Sequence, residues 1–228
     1  MKKVLAAALL CAVSSFAAWD YFPVIEYGKA EAKVYYSSGR QAYDEGQGLG
    51  FKIRYSPMEN LELLSQVDMG SNHVIGVRYQ IIPVLSAGLD IGTPIPIPAW
   101  SFTPNIQFSM PISDALALGS NVAFTIPMEN AEYEYTEVMR LDAGVELDLS
   151  IGQSTIWISF DVGTGIGEDS EKNKAKDLGQ GLSLSPAIGY VASVGNISVG
   201  TFVAFDFGED AGNDPFVTTI GIDAAVKF

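Results

Sequence analysis

The chain has 228 residues, with 13 Lys and Arg against 27 Asp and Glu for a formal net charge of −14, yet it is 48% hydrophobic and only 18% charged. A surface this acidic repels nucleic acid and excludes that class of partner. Length alone fits one large β domain or two ordinary ones, so the positions of the apolar residues decide the architecture.

The N-terminus, MKKVLAAALLCAVSSFAAWD, carries Lys2 and Lys3, an apolar run from Val4 to Val13, and small residues at Ser15, Ala17 and Ala18. This is the pattern of a secretory signal peptide cut after Ala17 or Ala18, and the run is too short for a membrane-spanning helix of about 20 residues. The expected organisation is a cleaved signal over 1–18 and a single domain over 19–228. Cys11 is the sole cysteine and lies inside the signal, preceded by Leu10 where a lipoprotein signal would want a small residue. The mature chain is therefore expected to lack thiols, disulfides and thiolate metal sites. No later stretch approaches the length of a transmembrane helix, so any membrane passage must use strands.

Twelve segments with period-two alternation follow, the signature of strands whose side chains switch faces at every residue. In KAEAKVYYS, Ala30, Ala32, Val34 and Tyr36 oppose Lys29, Glu31 and Lys33. GLGFKIRY sets Leu49, Phe51, Ile53 and Tyr55 against Lys52 and Arg54. Leu61 to Asp68 is less clean, because Leu64 shares a side with Glu62, Gln66 and Asp68. VIGVRYQI and LSAGLDIG place Arg78 and Asp90 opposite their apolar faces, and the sixth segment places Asn105 and Gln107 so, with Pro104 at a position where it cannot donate to a ladder. After LALGSNVAFTI, LDAGVELDLS opposes Asp142, Glu146 and Asp148 to Leu141, Val145 and Leu147. TIWISFDV does the same with Asp161, although Trp157 is a misfit on the polar side. LSLSPAIGY, ISVGTFVAFDF with Asp206, and the terminal segment with Asp223 complete the series.

The links are of two kinds. Those after even-numbered segments are tight, as in SPMEN, PISDA and ASVGN. Those after odd-numbered ones are mostly longer and richer in charge and glycine: SSGRQAYDEG, TPIPIPAWS, PMENAEYEYTE, TGIGEDSEKNKAKDLGQG and GEDAGNDP, with MGSNH the short exception. Short turns alternating with long loops along an antiparallel meander are what outer-membrane barrels show.

With its signal peptide, its even count of amphipathic strands, its alternating loops and a final strand ending on phenylalanine, the chain resembles a bacterial outer-membrane β-barrel. The resemblance is architectural and spans the mature chain. It implies a closed antiparallel up-and-down transmembrane β-barrel of about twelve strands, ten and fourteen being the neighbouring even counts. It places the protein in the outer membrane of a diderm bacterium, with tight turns and both termini periplasmic, lipids around it, and the barrel-assembly machinery as a partner. In such barrels the terminal Phe228 and the alternating Val226, Ala224 and Ile222 resemble the segment that this machinery reads.

If the apolar faces meet lipid, the opposite faces line a lumen. Eight strands make an interior just filled by side chains and 16 to 18 leave an open channel, so about twelve imply a narrow or partly plugged pore. The expected lining is Lys29, Lys33, Lys52, Arg54, Arg78, Asp90, Asn105, Gln107, Arg140, Asp142, Glu146, Asp148, Asp161, Asp206 and Asp223. Basic residues come from the early strands and acidic ones from the late strands, blurred by Glu31, Glu62, Asp68, Arg140 and Lys227. Two outcomes compete: a transverse field in an open lumen, or a salt-bridged interior locked across the lumen. Inward glycines at 48, 50, 76, 88, 144, 189, 200 and 221 argue for space.

The function expected is a small passive channel or transporter for ions or small polar solutes. A closed structural, adhesive or surface-display barrel is the alternative, and an outer-membrane enzyme a distant third. No catalytic residue, cofactor or metal is expected. His73, the only histidine, sits in GSNHVIG beside Ser71 and Asn72 and reads as a solvated loop residue; its spacing does not resemble that of outer-membrane phospholipases. DFGEDAGND departs from a calcium loop, since Ala211 stands where the turn glycine belongs, and reads as an acidic loop. GQGLG and GTGIG have no helix after them to cradle a phosphate.

Overall fold

The computed structural model of the chain describes residues 21, 24–38, 48–68, 72–94, 100–128, 139–166, 182–208 and 217–228. Twelve strands are present: β1 (Ala30–Ser38), β2 (Gly48–Met58), β3 (Leu61–Asp68), β4 (Asn72–Ile82), β5 (Leu85–Pro94), β6 (Ser101–Pro111), β7 (Leu116–Pro127), β8 (Met139–Ile151), β9 (Ser154–Ile166), β10 (Ser183–Val194), β11 (Ile197–Gly208) and β12 (Val217–Lys227). Each pairs antiparallel with its sequence neighbours, and β12 pairs with β1, so the sheet closes into an up-and-down barrel. Strands of eight to thirteen residues match the about 9–11 residues that a tilted strand needs to cross a bilayer. No described helix is long and apolar enough to cross a membrane.

The seam is made by Glu31 to Ser38 against Lys227 to Ile220. It is finished by a reciprocal pair, in which the Ala30 N–H donates to the Phe228 carbonyl at 2.9 Å and the Phe228 N–H returns to Ala30 at 3.0 Å. The terminal aromatic is thus a ladder residue, held at the end of the barrel where the chain enters.

At that end the even-numbered links are tight. Gly152 and Gly195 stand first in two-residue links with φ of 62° and 60°, the geometry of a II′ hairpin turn, which glycine adopts without a Cβ clash. Asn60 takes φ of 65° in the β2–β3 link, beside a bulge between Tyr55 and Met58. The long odd-numbered loops fall mostly outside the described residues.

Two of the strand prolines, Pro104 and Pro186, sit where a ladder lapses. The β6–β7 register skips Thr103 and Pro104, and there the Thr103 and Thr125 hydroxyls bond to each other at 3.1 Å. The β10–β11 register skips Ser185 and Pro186. A residue with no N–H is tolerated because one side of its strand gives up pairing locally.

Alternation sorts the faces in the reverse of a water-soluble protein. Ile75, Ile106, Ile158, Val199 and Ile222 are each more than half exposed, at 57%, 56%, 54%, 56% and 56%, while Arg54, Glu31 and Asp148 are 0% exposed. An apolar belt running round the whole barrel far exceeds the few hundred Å² of exposed patch that a soluble protein tolerates, and it suits hydrocarbon. Replacing Ile222 by Arg is expected to cost about 2–4 kcal/mol near mid-membrane, measured by urea titration of protein folded into lipid vesicles. Glu59→Arg in the β2–β3 turn should change stability by under about 1 kcal/mol. For orientation, an epitope inserted within 167–181 should bind antibody on whole cells, and one at Glu59–Asn60 should not.

Candidate functional site: a charged barrel interior crossed by the N-terminal segment

Inward side chains on six successive strands form a continuous polar chain. Arg54 on β2 donates to Glu31 on β1 at 2.8 Å and lies 3.6 Å from Glu62 on β3. Arg78 on β4 sits 3.6 Å from the other Glu62 oxygen and 3.9 Å from Asp90 on β5. Asp90 in turn accepts from the Asn105 amide on β6 at 3.0 Å. On the other side of β1, Lys33 pairs with Asp223 of β12 at 3.3 Å. Buried charges persist only when paired and hydrogen-bonded, and shared guanidinium groups meet that demand. Each of these partners lies on an adjacent strand, so these pairs run along the wall.

The other residues expected in the interior divide by place. Lys52, Gln107, Glu146 and Asp148 are buried, Gln107 accepting from Ser86 at 3.3 Å, and Asp161 on β9 is half-buried. Arg140 and Asp142 pair at 2.7 Å towards the far end of the barrel, with side chains 43% and 38% exposed. Lys29 precedes β1 and is exposed, its N–H closing a turn on the Glu26 carbonyl. Asp206 pairs in register with Val217 in the β11–β12 ladder. The simple division into a basic and an acidic arc does not hold, because Glu31, Glu62 and Asp90 neutralise the bases within their own arc. The sequence of β8 and β9 holds Asp142, Glu146, Asp148 and Asp161 with one base, Arg140, and Glu146 and Asp161 have further partners in the interior.

Nor do the inward glycines leave open space. Several stand directly across a ladder from a larger inward residue that lies over them: Tyr35 over Gly50, Trp157 over Gly189, Phe202 over Gly221, Asp90 over Gly76, Asp161 over Gly144 and Asp223 over Gly200. A Cβ at any of them would meet the partner's side chain. Trp157, the misfit of the sequence, packs with Val191 and Ala225 and lies 6.0 Å from the Phe202 ring. Leu64 is likewise buried inside. The signal that betrays these residues is a glycine in register with a bulky residue, and register is not written in one strand's pattern.

Described residues before β1 also touch inward side chains. The Tyr21 hydroxyl bonds to Asp161 on β9, and its ring lies beside Gly144 on β8 and packs on buried Ala117 of β7. Four residues later the Ile25 N–H donates to the Glu62 carboxylate on β3 at 3.1 Å. Strands β3 and β9 are six places apart in a ring of twelve, so the two contacts fall on opposite walls. The Gly28 N–H then bonds to the Ser56 carbonyl at 2.9 Å, and Gly28 takes a φ of 74° in the reversal that leads into β1.

His73 is a strand residue and not a loop residue. It is the second position of β4, on the outward side with Ile75 and Val77, where its Nε2 is 3.4 Å from the Ser65 hydroxyl. Among the described residues no group of three or more His, Cys, Asp or Glu is placed to hold a metal, and 209–214 of the acidic loop lie outside them. Ile222 and Ala224 face outward in register with Tyr36 and Val34, and Val226 pairs with Ala32.

No protein-family model matches the sequence, nor does any curated protein. Solved structures do match in shape. An outer membrane channel from Pseudomonas putida F1 superposes with a TM-score of 0.63 at 12% identity, over 92% of this chain and 99% of that one. The NanC porin gives 0.60 at 10% identity over 87% and 100%. The KdgM porin in complex with disordered oligogalacturonate gives 0.58 at 10% identity over 87% and 99%. The chain has the fold of the outer-membrane porins. Within this porin fold the identity is too low to carry residues across, so the interior must be argued from its own side chains.

Removing Arg54 takes a partner from two buried carboxylates, Glu31 and Glu62, and Arg54→Ala should destabilise the barrel by about 3–5 kcal/mol. Arg140→Ala, at an exposed pair, should cost under about 1 kcal/mol, and Gly189→Val about 1–3 kcal/mol by displacing Trp157. Urea unfolding in lipid vesicles ranks all three.

Proposed function

We propose that the protein is a passive channel of the outer membrane, admitting ions or small polar solutes through the barrel interior, with a preference for cations. The observation that supports this most directly is the inversion of the fold: charged and polar side chains gather inside a closed wall whose outside is apolar. A barrel serving only as a scaffold for its loops would be filled more cheaply with apolar residues, since buried ion pairs are often no more stabilising than the hydrophobic groups that replace them. The fold shared with porins is consistent with passage of small polar solutes.

The charge preference comes from the wall. The bases of β1, β2 and β4 are engaged with Glu31, Glu62, Asp90 and Asp223, and over the whole chain acidic residues outnumber basic ones, 27 to 13. In a confined lumen a wall of one sign concentrates counter-ions and repels co-ions. Protein refolded without its signal and placed in a planar bilayer between unequal KCl solutions should give stepwise currents that reverse at a potential of the cation-selective sign. Glu146→Gln combined with Asp148→Asn should move that potential towards zero. Absence of current from folded protein at any applied voltage would sink the channel reading.

A further inference from the structure

We propose that the outer face of the barrel, over the seam, holds a seat for one acyl chain of a phospholipid from the periplasmic leaflet. A groove of about 500 Å³ runs over β1, β12, β11 and β10, the two strands of the closing pair among them. The register builds it. Tyr36, Ile222, Thr201 and Tyr190 form one outward row across the four strands, and in the neighbouring row on the periplasmic side Ala224 and Ala192 alternate with valines. The alanines and Thr201 make a low floor between two tyrosines that stand three strands apart. The Thr201 hydroxyl is satisfied by the Gly221 carbonyl at 3.1 Å and the Tyr190 hydroxyl by that of Ser154 at 2.8 Å, so neither makes a polar demand on an occupant. The seat is independent of whether solute passes through the interior.

The groove is continuous with the apolar belt, so hydrocarbon covers it. Its place on the strands names the leaflet. Every residue that lines it lies within six residues of the periplasmic end of its strand. At about 3.3 Å per residue and a tilt of about 40°, that is a climb of at most about 15 Å in a belt about 25 Å tall. The seat therefore lies mostly in the periplasmic half, among the chains of that leaflet's phospholipids. A second copy of the chain fits poorly: four strands about 4.8 Å apart and two rows of side chains offer roughly 200 Å², against about 800 Å² per partner in a standard interface. Within a membrane there is no hydrophobic drive between apolar groups, and association rests on close packing. A chain between the tyrosines touches floor and walls at once, whereas one over β5 and β6, on the far side of the barrel, has the larger Leu85, Leu89, Ile106 and Phe108 beneath it. Each added carbon–carbon contact is small, and along a whole chain they accumulate. The seated chain lies against both strands of the closing pair.

The test folds the mature chain into vesicles of phosphatidylethanolamine and phosphatidylglycerol that contain a trace of phosphatidylethanolamine with a diazirine in mid-chain. Folding is checked by the shift in gel mobility on heating, and the photolabelled residues are located by peptide mass spectrometry. Adducts on Tyr190–Thr201 and Ile220–Ala224 should exceed those on Leu85–Ile91 and Phe102–Phe108 at least about threefold, the bias that a few added packing contacts give. Ala192→Phe combined with Ala224→Phe, which fills the floor, should abolish the excess. Ala87→Phe, at an outward position of β5 in register with Ile106, should leave it intact. Even labelling round the belt of the unsubstituted chain overturns the seat, whether or not the filled variant folds. An excess that survives filling overturns it as well, and so do cross-links between two copies of the chain through these same residues.

Discussion

Everything in this molecule depends on one pairing, that of its first strand with its last. In hydrocarbon there is no water to satisfy a backbone N–H or C=O, and each one left open costs several kcal/mol. The ladder from Glu31 with Lys227 to Ser38 with Ile220 removes the only two edges the sheet would have. An even number of strands is what lets the two ends meet side by side and antiparallel, and the reciprocal bonds between Ala30 and Phe228 carry the seam one residue past Lys227. Once the sheet is closed, period two does the rest: one face of every strand must be hydrocarbon-compatible, and the other is free to be charged.

The interior is organised by cross-strand register. Arginines share carboxylates with the strands on either side, and bulky residues lie over glycines directly opposite. Both devices couple neighbours round the wall and so tie the strands together, and the side chains they hold are almost wholly buried.

The legibility of the sequence follows from the same division. Alternation is a property of single strands, so twelve strands, their apolar faces and inward residues such as Arg54, Arg78, Gln107 and Asp148 can be read along the chain. Register is a property of pairs. For that reason Trp157 looks misplaced until Gly189 stands opposite it, the inward glycines look like empty space, and the carboxylates of Glu31 and Glu62 look like noise in a basic arc they in fact neutralise. His73 reads as a loop residue because β4 begins earlier than its alternation does. Tyr21 and Ile25 carry no periodicity at all, and only the closed barrel reveals what a short segment beside β1 can reach.

The most direct test of the inverted fold is accessibility along β12. Single cysteines at positions 220 to 225, in a chain expressed from residue 19 so that Cys11 is left out, would each carry a nitroxide label in lipid-folded protein. Collision with oxygen, which concentrates in hydrocarbon, is measured against collision with a water-soluble nickel chelate. High oxygen accessibility at 220, 222 and 224 with low values at 221, 223 and 225 is the result expected of a strand whose isoleucines face lipid and whose Asp223 faces inward. A flat profile, or one of opposite phase, would contradict it.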